Sequence, residues 1–167
     1  MLIVKDLSSQ NIIDIKMKKY LNTKIPPPLV TMLCIGIIYL FEIQIEYSHP
    51  NLKAVGIIFL ILGLIMIFLA VLKFIKTKTT VDPTRPHKTS NLVITGIYKI
   101  TRNPMYLGML FLIIAYAIYN NNIIGCIVIP VFIFYINKFQ IEPEEIEMRK
   151  KFGESFENYC KKVNRWL

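Results

Sequence analysis

The sequence predicts an all-α, polytopic membrane protein with about four transmembrane helices, the last two a short helical hairpin, and a C-terminal amphipathic helix. Three observations carry that reading. Hydrophobic residues make up 54% of the chain and mean hydropathy is positive, which is too apolar for an ordinary soluble domain of this length. Four separate apolar runs follow one another along the chain. Finally, the basic residues alternate in step with those runs, as loops on opposite sides of a membrane require.

In chain order, residues 1–28 read as a cytoplasmic N-terminal segment and residues 29–167 as a single membrane domain. Residues 1–25 scatter their apolar positions among Asp6, Asp14 and several lysines, so they lack the continuous apolar core of a cleavable signal peptide. A short amphipathic surface helix is expected around Ile12 to Leu21, broken by Pro26, Pro27 and Pro28. The first span is expected over 29–47, although Glu42, Gln44 and Glu46 make its end polar. The run 54–75 is the cleanest, and at about 1.5 Å per residue it covers a hydrocarbon core of roughly 30 Å. Runs 105–119 and 123–139 are shorter, and only Asn120, Asn121 and Asn122 separate them, which predicts the hairpin.

The formal net charge of +9 raises the question of nucleic acid. Lys and Arg number five in residues 1–28, one between the first two runs (Lys53), seven from Lys73 to Arg102, none in the asparagine triplet and seven from Lys138 onward. This distribution puts both termini and the central loop, residues 76–104, in the cytoplasm. The charge therefore reads as topology and contact with anionic lipid, and no nucleic-acid partner is expected. Cys34, Cys126 and Cys160 lie far apart in sequence, which supports neither a metal site nor a disulfide framework.

Two polar clusters remain to be explained. The first is "GIYKITRNPMYLG", residues 96–108, at the end of a long loop. Asn103 and Pro104 mark a helix start, with Asn able to accept from the first-turn amides and Pro suited to the first helical position. Such a start offers unpaired N–H groups and a positive dipole end, a seat for a carboxylate or phosphate. Arg102 stands beside it, and Gly96 would let the backbone approach a ligand. The simpler alternative is an interfacial anchor, because Tyr and Arg belong at headgroup level. The second cluster opens the segment 142–165, where Pro143 with Glu142, Glu144 and Glu145 suits a helix start. Beyond it Met148, Phe152, Phe156, Tyr159 and Val163 recur at helical spacing. Glu145 shares the face of Met148 and Phe152, so it points inward and needs Arg102, Lys138 or a bound cation as partner. The hairpin should bring both clusters together on the cytoplasmic side. A ligand carrying a carboxylate, an ammonium and a sulfonium suits that set, since aromatic faces attract such cations.

At this point the residues resemble a known family. "LVITGIYKITRNPMYLG" is similar to the first signature of isoprenylcysteine carboxyl methyltransferase-like proteins, which are related to phospholipid methyltransferases. "EEIEMRKKFGESFENYCKKVNRW" resembles their second signature, with Met148 at a Leu position and Phe156 at a Tyr position. The resemblance covers roughly Lys24 to the C-terminus. It implies methyl transfer from S-adenosylmethionine, with Ser90, Asn91, Leu92, Val93, Tyr98, Asn103, Pro104, Met105, Tyr106, Glu144 and Glu145 contacting the cofactor. Eukaryotic members usually have His where this chain has Asn103. Some also carry an Arg about one turn before the Glu pair, assigned to substrate, where this chain has Gln140 or Ile141; that departure argues against a prenylcysteine carboxylate as acceptor.

Displacement at a sulfonium needs little acid–base help when the nucleophile is anionic, so positioning and exclusion of water can supply most of the acceleration. On this reading Arg102 is the catalytic candidate, aligning an anionic group, while Glu144 and Glu145 hold the cofactor ammonium. Membrane lipids and a lipid-like or lipidated acceptor are the expected partners. Two other classes stay open: a membrane NADPH-dependent lipid reductase, and a non-enzymatic membrane anchor or transporter subunit.

Overall fold

Each apolar run folds as a helix, and every element is helical among the described residues. The computed structural model describes residues 24–41, 43, 51–76 and 92–167. The expected surface helix at 12–21 and the loop stretch 77–91 lie outside them. In order come α1 (Pro27–Leu40), α2 (Leu52–Lys76), a 3-10 turn (Gly96–Lys99), α3 (Pro104–Tyr119), α4 (Gly125–Ile136), a π-helical turn (Asn137–Ile141), α5 (Glu142–Phe152) and α6 (Glu154–Lys162).

The second run behaves as expected. At 25 residues α2 is about 37 Å long, enough to cross a bilayer. Its buried positions, Gly56, Gly63 and Ala70, recur every seven residues, and the rest of its surface is largely exposed Leu, Ile and Phe. A Cβ on Gly63 would stand 2.8 Å from the Gly108 carbonyl oxygen, and one on Gly56 would stand 3.0 Å from the Ala115 carbonyl oxygen. The backbones of α2 and α3 thus touch along an antiparallel seam, the close approach that small residues permit between membrane helices.

The helix of the first run ends earlier than the sequence suggests, and residues 42 and 44–47 of the expected span lie outside the described residues. α1 stops at Leu40, so its 14 residues span about 21 Å, short of a perpendicular crossing. The reason lies across the fold: buried Asn122, in the hairpin turn, donates its Nδ2 to the carbonyls of Ile38 at 2.7 Å and Phe41 at 3.1 Å. A side chain therefore takes over the terminal carbonyls that a further turn would have used. α3 is also short, at 16 residues. Among the described residues two helices are long and apolar enough to cross a membrane, Leu52–Lys76 and Gly125–Phe152.

That second stretch corrects the expected break at residue 142. Helix runs without interruption from Gly125 to Phe152; Pro143 starts nothing. The Glu142 N–H bonds the Asn137 carbonyl, five residues back, and the widened turn carries the helix past a proline that has no N–H to give. The single amphipathic helix expected over 142–165 is instead broken at Gly153, whose φ of +49° favours glycine. α6 then ends at Lys162, and Val163 leaves it extended. One core joins α1, α3 and α4 through Cys34, Ile38, Leu107, Ile113, Phe132 and Ile136.

Candidate functional site

Residues 92–103, which lead into α3, form a bent, anchored corner. Val93 and Tyr98 are buried with Ala70, and Phe74, Ile97 and Met105 pack against them. Tyr98 meets Phe74 edge-on at 5.6 Å between centroids, and its carbonyl accepts from the Tyr159 hydroxyl at 2.6 Å. Burial pushes both of these phenols up, well clear of ionisation near neutrality. Gly96 is required for its conformation rather than for close approach. Its φ is +69°, while a Cβ there would meet nothing nearer than Lys73 Cδ at 3.9 Å. Leu92 is half-buried at the edge of this cluster. Ser90 and Asn91 lie outside the described residues.

α3 starts at Pro104 as the sequence indicates, but Asn103 does not cap it with its side chain. The Asn103 Nδ2 instead donates to the Arg165 carbonyl at 3.0 Å, and its backbone N–H bonds Thr101 Oγ1 at 3.1 Å. The first intrahelical bond runs from Leu107 to the Asn103 carbonyl. The amides of Met105 and Tyr106 precede it and have no intrahelical acceptor. Tyr106 is buried and points at the acidic cluster.

The two glutamates are brought to the corner, as expected, but they take different partners. Glu145 is 5% exposed and sits amid three guanidinium groups. Arg165 grips it with a fork, Nε to Oε1 at 3.0 Å and Nη2 to Oε2 at 2.8 Å. Arg102 Nη2 reaches it at 3.2 Å and Arg149 Nη2 at 3.6 Å. The carboxylate in turn holds the Arg165 guanidinium above its ordinary value. Glu144 accepts the Tyr106 hydroxyl at 2.5 Å. Among the described residues no cation pairs with Glu144. The apolar run of this helix ends at Phe139, so Glu144 stands on the loop side of it. Burial pushes its carboxyl up to about 8, against the lowering effect of the Tyr106 hydrogen bond, and Glu145 beside it adds to the rise.

Arg102 is likewise committed. Besides Glu145, it donates through Nη1 to Cys160 Sγ, while its Nε is buried with no partner among the described residues. A fourth residue, Arg165, has as large a share in the cluster as any that sequence reasoning selected. It closes the second signature in the sequence, yet nothing local to it shows that it returns to Glu145, 20 positions earlier. Thr101, fully buried, was also missed; its Oγ1 donates to the Arg165 carbonyl at 2.9 Å. Among the described residues no group of His, Cys, Asp and Glu could hold a metal ion. What the arrangement offers is a partly buried carboxyl with no cation partner among the described residues, a set of first-turn amides on the neighbouring helix, and a tyrosine joining the two.

Comparison with known proteins agrees with the two signatures. The family model for phospholipid methyltransferase matches residues 52–155. A relative from Haemophilus influenzae, an uncharacterized protein, is 38% identical over 63 residues, which are 38% of this chain and all of the relative. No solved structure matches the chain. With α2, the corner, the hairpin and the glutamate pair all inside the matched region, the chain belongs to the phospholipid methyltransferase family, membership that implies a methyltransferase.

Proposed function

We propose that the protein is an integral membrane methyltransferase of the isoprenylcysteine carboxyl methyltransferase-like type, using S-adenosylmethionine on a lipid-like or lipidated acceptor. The observation that carries this reading is the Tyr106–Glu144 contact. It sets a carboxyl that has no cation partner among the described residues beside the first turn of α3. A carboxylate for an ammonium, amides at a positive helix end for a carboxylate, and aromatic rings for a sulfonium together match the charges of the cofactor. When bound, the cofactor supplies an electrophilic methyl group.

The chain's own residues then bind, orient and exclude water. Glu144 is the ammonium partner, and ionising it in a partly buried site favours a cation there. Glu145 serves to hold the arginines, because a further cation beside three guanidinium groups would meet repulsion. Arg102 sets the corner and offers its Nε to an anionic group. Val93, Tyr98 and Met105 form the apolar side, and Ser90 with Asn91 completes the set inferred from the family. The alternating basic residues support four membrane segments, with both termini and the site on the cytoplasmic side. The exposed apolar face of α2 is suited to lipid, through which an acceptor could arrive.

The deciding experiment is calorimetry on purified protein in detergent, titrating S-adenosylhomocysteine and, separately, NADPH. Binding of the first and not the second is expected; the reverse would replace this reading with a reductase.

A further inference from the structure

The last residues of the chain form a strap across the site. After α6, Val163 is extended, with φ −132° and ψ 131°, and the chain then runs past the corner. The Asn164 carbonyl accepts from the Arg102 N–H at 2.9 Å. The Arg165 carbonyl accepts twice, from Thr101 Oγ1 at 2.9 Å and from Asn103 Nδ2 at 3.0 Å. Three consecutive corner residues are thus tied to two consecutive tail residues. The Arg165 side chain turns the other way, onto both oxygens of Glu145. Trp166 Nε1 donates to Asn137 Oδ1 at 3.2 Å, fastening the tail to the π-helical turn.

We propose that Arg165 is a positioning residue, whose fork on Glu145 and whose carbonyl on Thr101 and Asn103 fix the start of α3 relative to Glu144. The proposal rests on the methyltransferase reading above and names a residue that reading leaves without a role. Glu144 and the first turn of α3 belong to different helices, and a ligand held by both requires a fixed distance between them. The strap spans that gap: its side chain registers the helix carrying the glutamates, and its backbone registers the corner. A two-point guanidinium–carboxylate contact fixes direction as well as distance, which an ammonium cannot do. Arg102 and Arg149 still face Glu145 if Arg165 is replaced, so the buried carboxylate keeps a partner and the fold can survive the change.

The test uses the full chain and S-adenosylhomocysteine as probe, with Arg165→Gln, Arg165→Lys and Thr101→Val. Positioning predicts that Kd rises about tenfold in Arg165→Gln and by less in Arg165→Lys, at unchanged stoichiometry. A merely structural role predicts the opposite pattern: fewer competent molecules, each with wild-type Kd. Thr101→Val combined with Arg165→Gln should lose less than the product of the single effects, because both act through one strap. Amide exchange at Arg102 and Leu107, whose N–H groups bond the Asn164 and Asn103 carbonyls, should quicken in Arg165→Gln whether or not ligand is present. Wild-type Kd in a folded Arg165→Gln, or additive losses in the double variant, would overturn the proposal. If the wild type itself fails to bind the probe, the methyltransferase reading falls, and the exchange measurement alone decides whether the strap holds the corner.

Discussion

Tyr106 and Glu144 stand 38 positions apart in sequence and 2.5 Å apart in space, joined by one hydrogen bond from phenol to carboxyl. That contact links the first turn of α3 to the first turn of α5. Replacing Glu144 with Gln keeps the shape and an acceptor for Tyr106 but removes the charge. Affinity for S-adenosylhomocysteine should fall at least about tenfold, since a charged hydrogen bond is worth roughly 1.5–3 kcal/mol. Calorimetry on a variant that still elutes as folded protein checks this.

The same carboxyl predicts a pH response. Its folded value is raised, to about 8, so the folded protein holds this proton more tightly than the unfolded chain does. Stability of the ligand-free protein should therefore decline as pH rises from the ordinary carboxylate range through that value. Cofactor affinity should move the other way, climbing as Glu144 ionises. Melting and binding curves from about pH 6 to about pH 9 should show both trends in the wild type, and Glu144→Gln should flatten them.

Arg102→Lys separates an anchor from a positioned guanidinium. An ammonium at this position keeps the charge, but its donors sit on one nitrogen and cannot reach Glu145, Cys160 and a third acceptor in the separate directions that Nη2, Nη1 and Nε of the guanidinium take. Turnover, followed as labelled methyl transfer into a membrane extract, should drop by about tenfold or more, with insertion intact. A wild-type rate would remove this Arg from the site.

The seam between α2 and α3 admits little bulk. In Gly63→Val the new Cβ would press on the Gly108 carbonyl, and overpacking of this kind costs about 1–3 kcal/mol. The thermal transition in detergent should fall, whereas Gly36→Ala in α1, where a Cβ meets nothing within 4 Å, should be close to silent.

Topology is open to labelling. In a background with Cys34, Cys126 and Cys160 replaced, a cysteine at exposed Lys99 should react with an impermeant reagent only from the cytoplasmic side, and one at exposed Ile123 only from the opposite side. Reaction of both from one side would exclude the four-segment arrangement.

Much of the helical architecture was legible because α1 to α4 each follow a run of apolar residues, the strongest local signal in the chain. The second run needed only its length, and Pro104 marked the start of α3 by its missing N–H. Glu145 could be placed inward from its spacing to Met148 and Phe152, and its need for a cationic partner followed from the cost of a buried charge, with Arg102 one of the three candidates and Arg165 not among them. Other features depended on partners distant in sequence. The end of α1 is set by Asn122 in the hairpin, and the role of Asn103 by a carbonyl near the C-terminus. Pro143 read as a helix start because the rule for proline is local, while the π-helical turn that accommodates it depends on how α4 leaves the core.

That turn makes residue count a control on direction. Each residue of an α-helix advances the side chains by about 100°, and the i→i+5 turn already absorbs one extra residue, so inserting another position between Asn137 and Ile141 would swing everything downstream around the axis. Glu144 would lose Tyr106 and Glu145 would lose its arginines, although no contacting residue had been altered. The stretch should thus tolerate replacement of individual side chains better than an insertion. A lineage that gained one residue there would have to find a new carboxylate facing the corner, so the turn works as a phase setting for the whole acidic cluster.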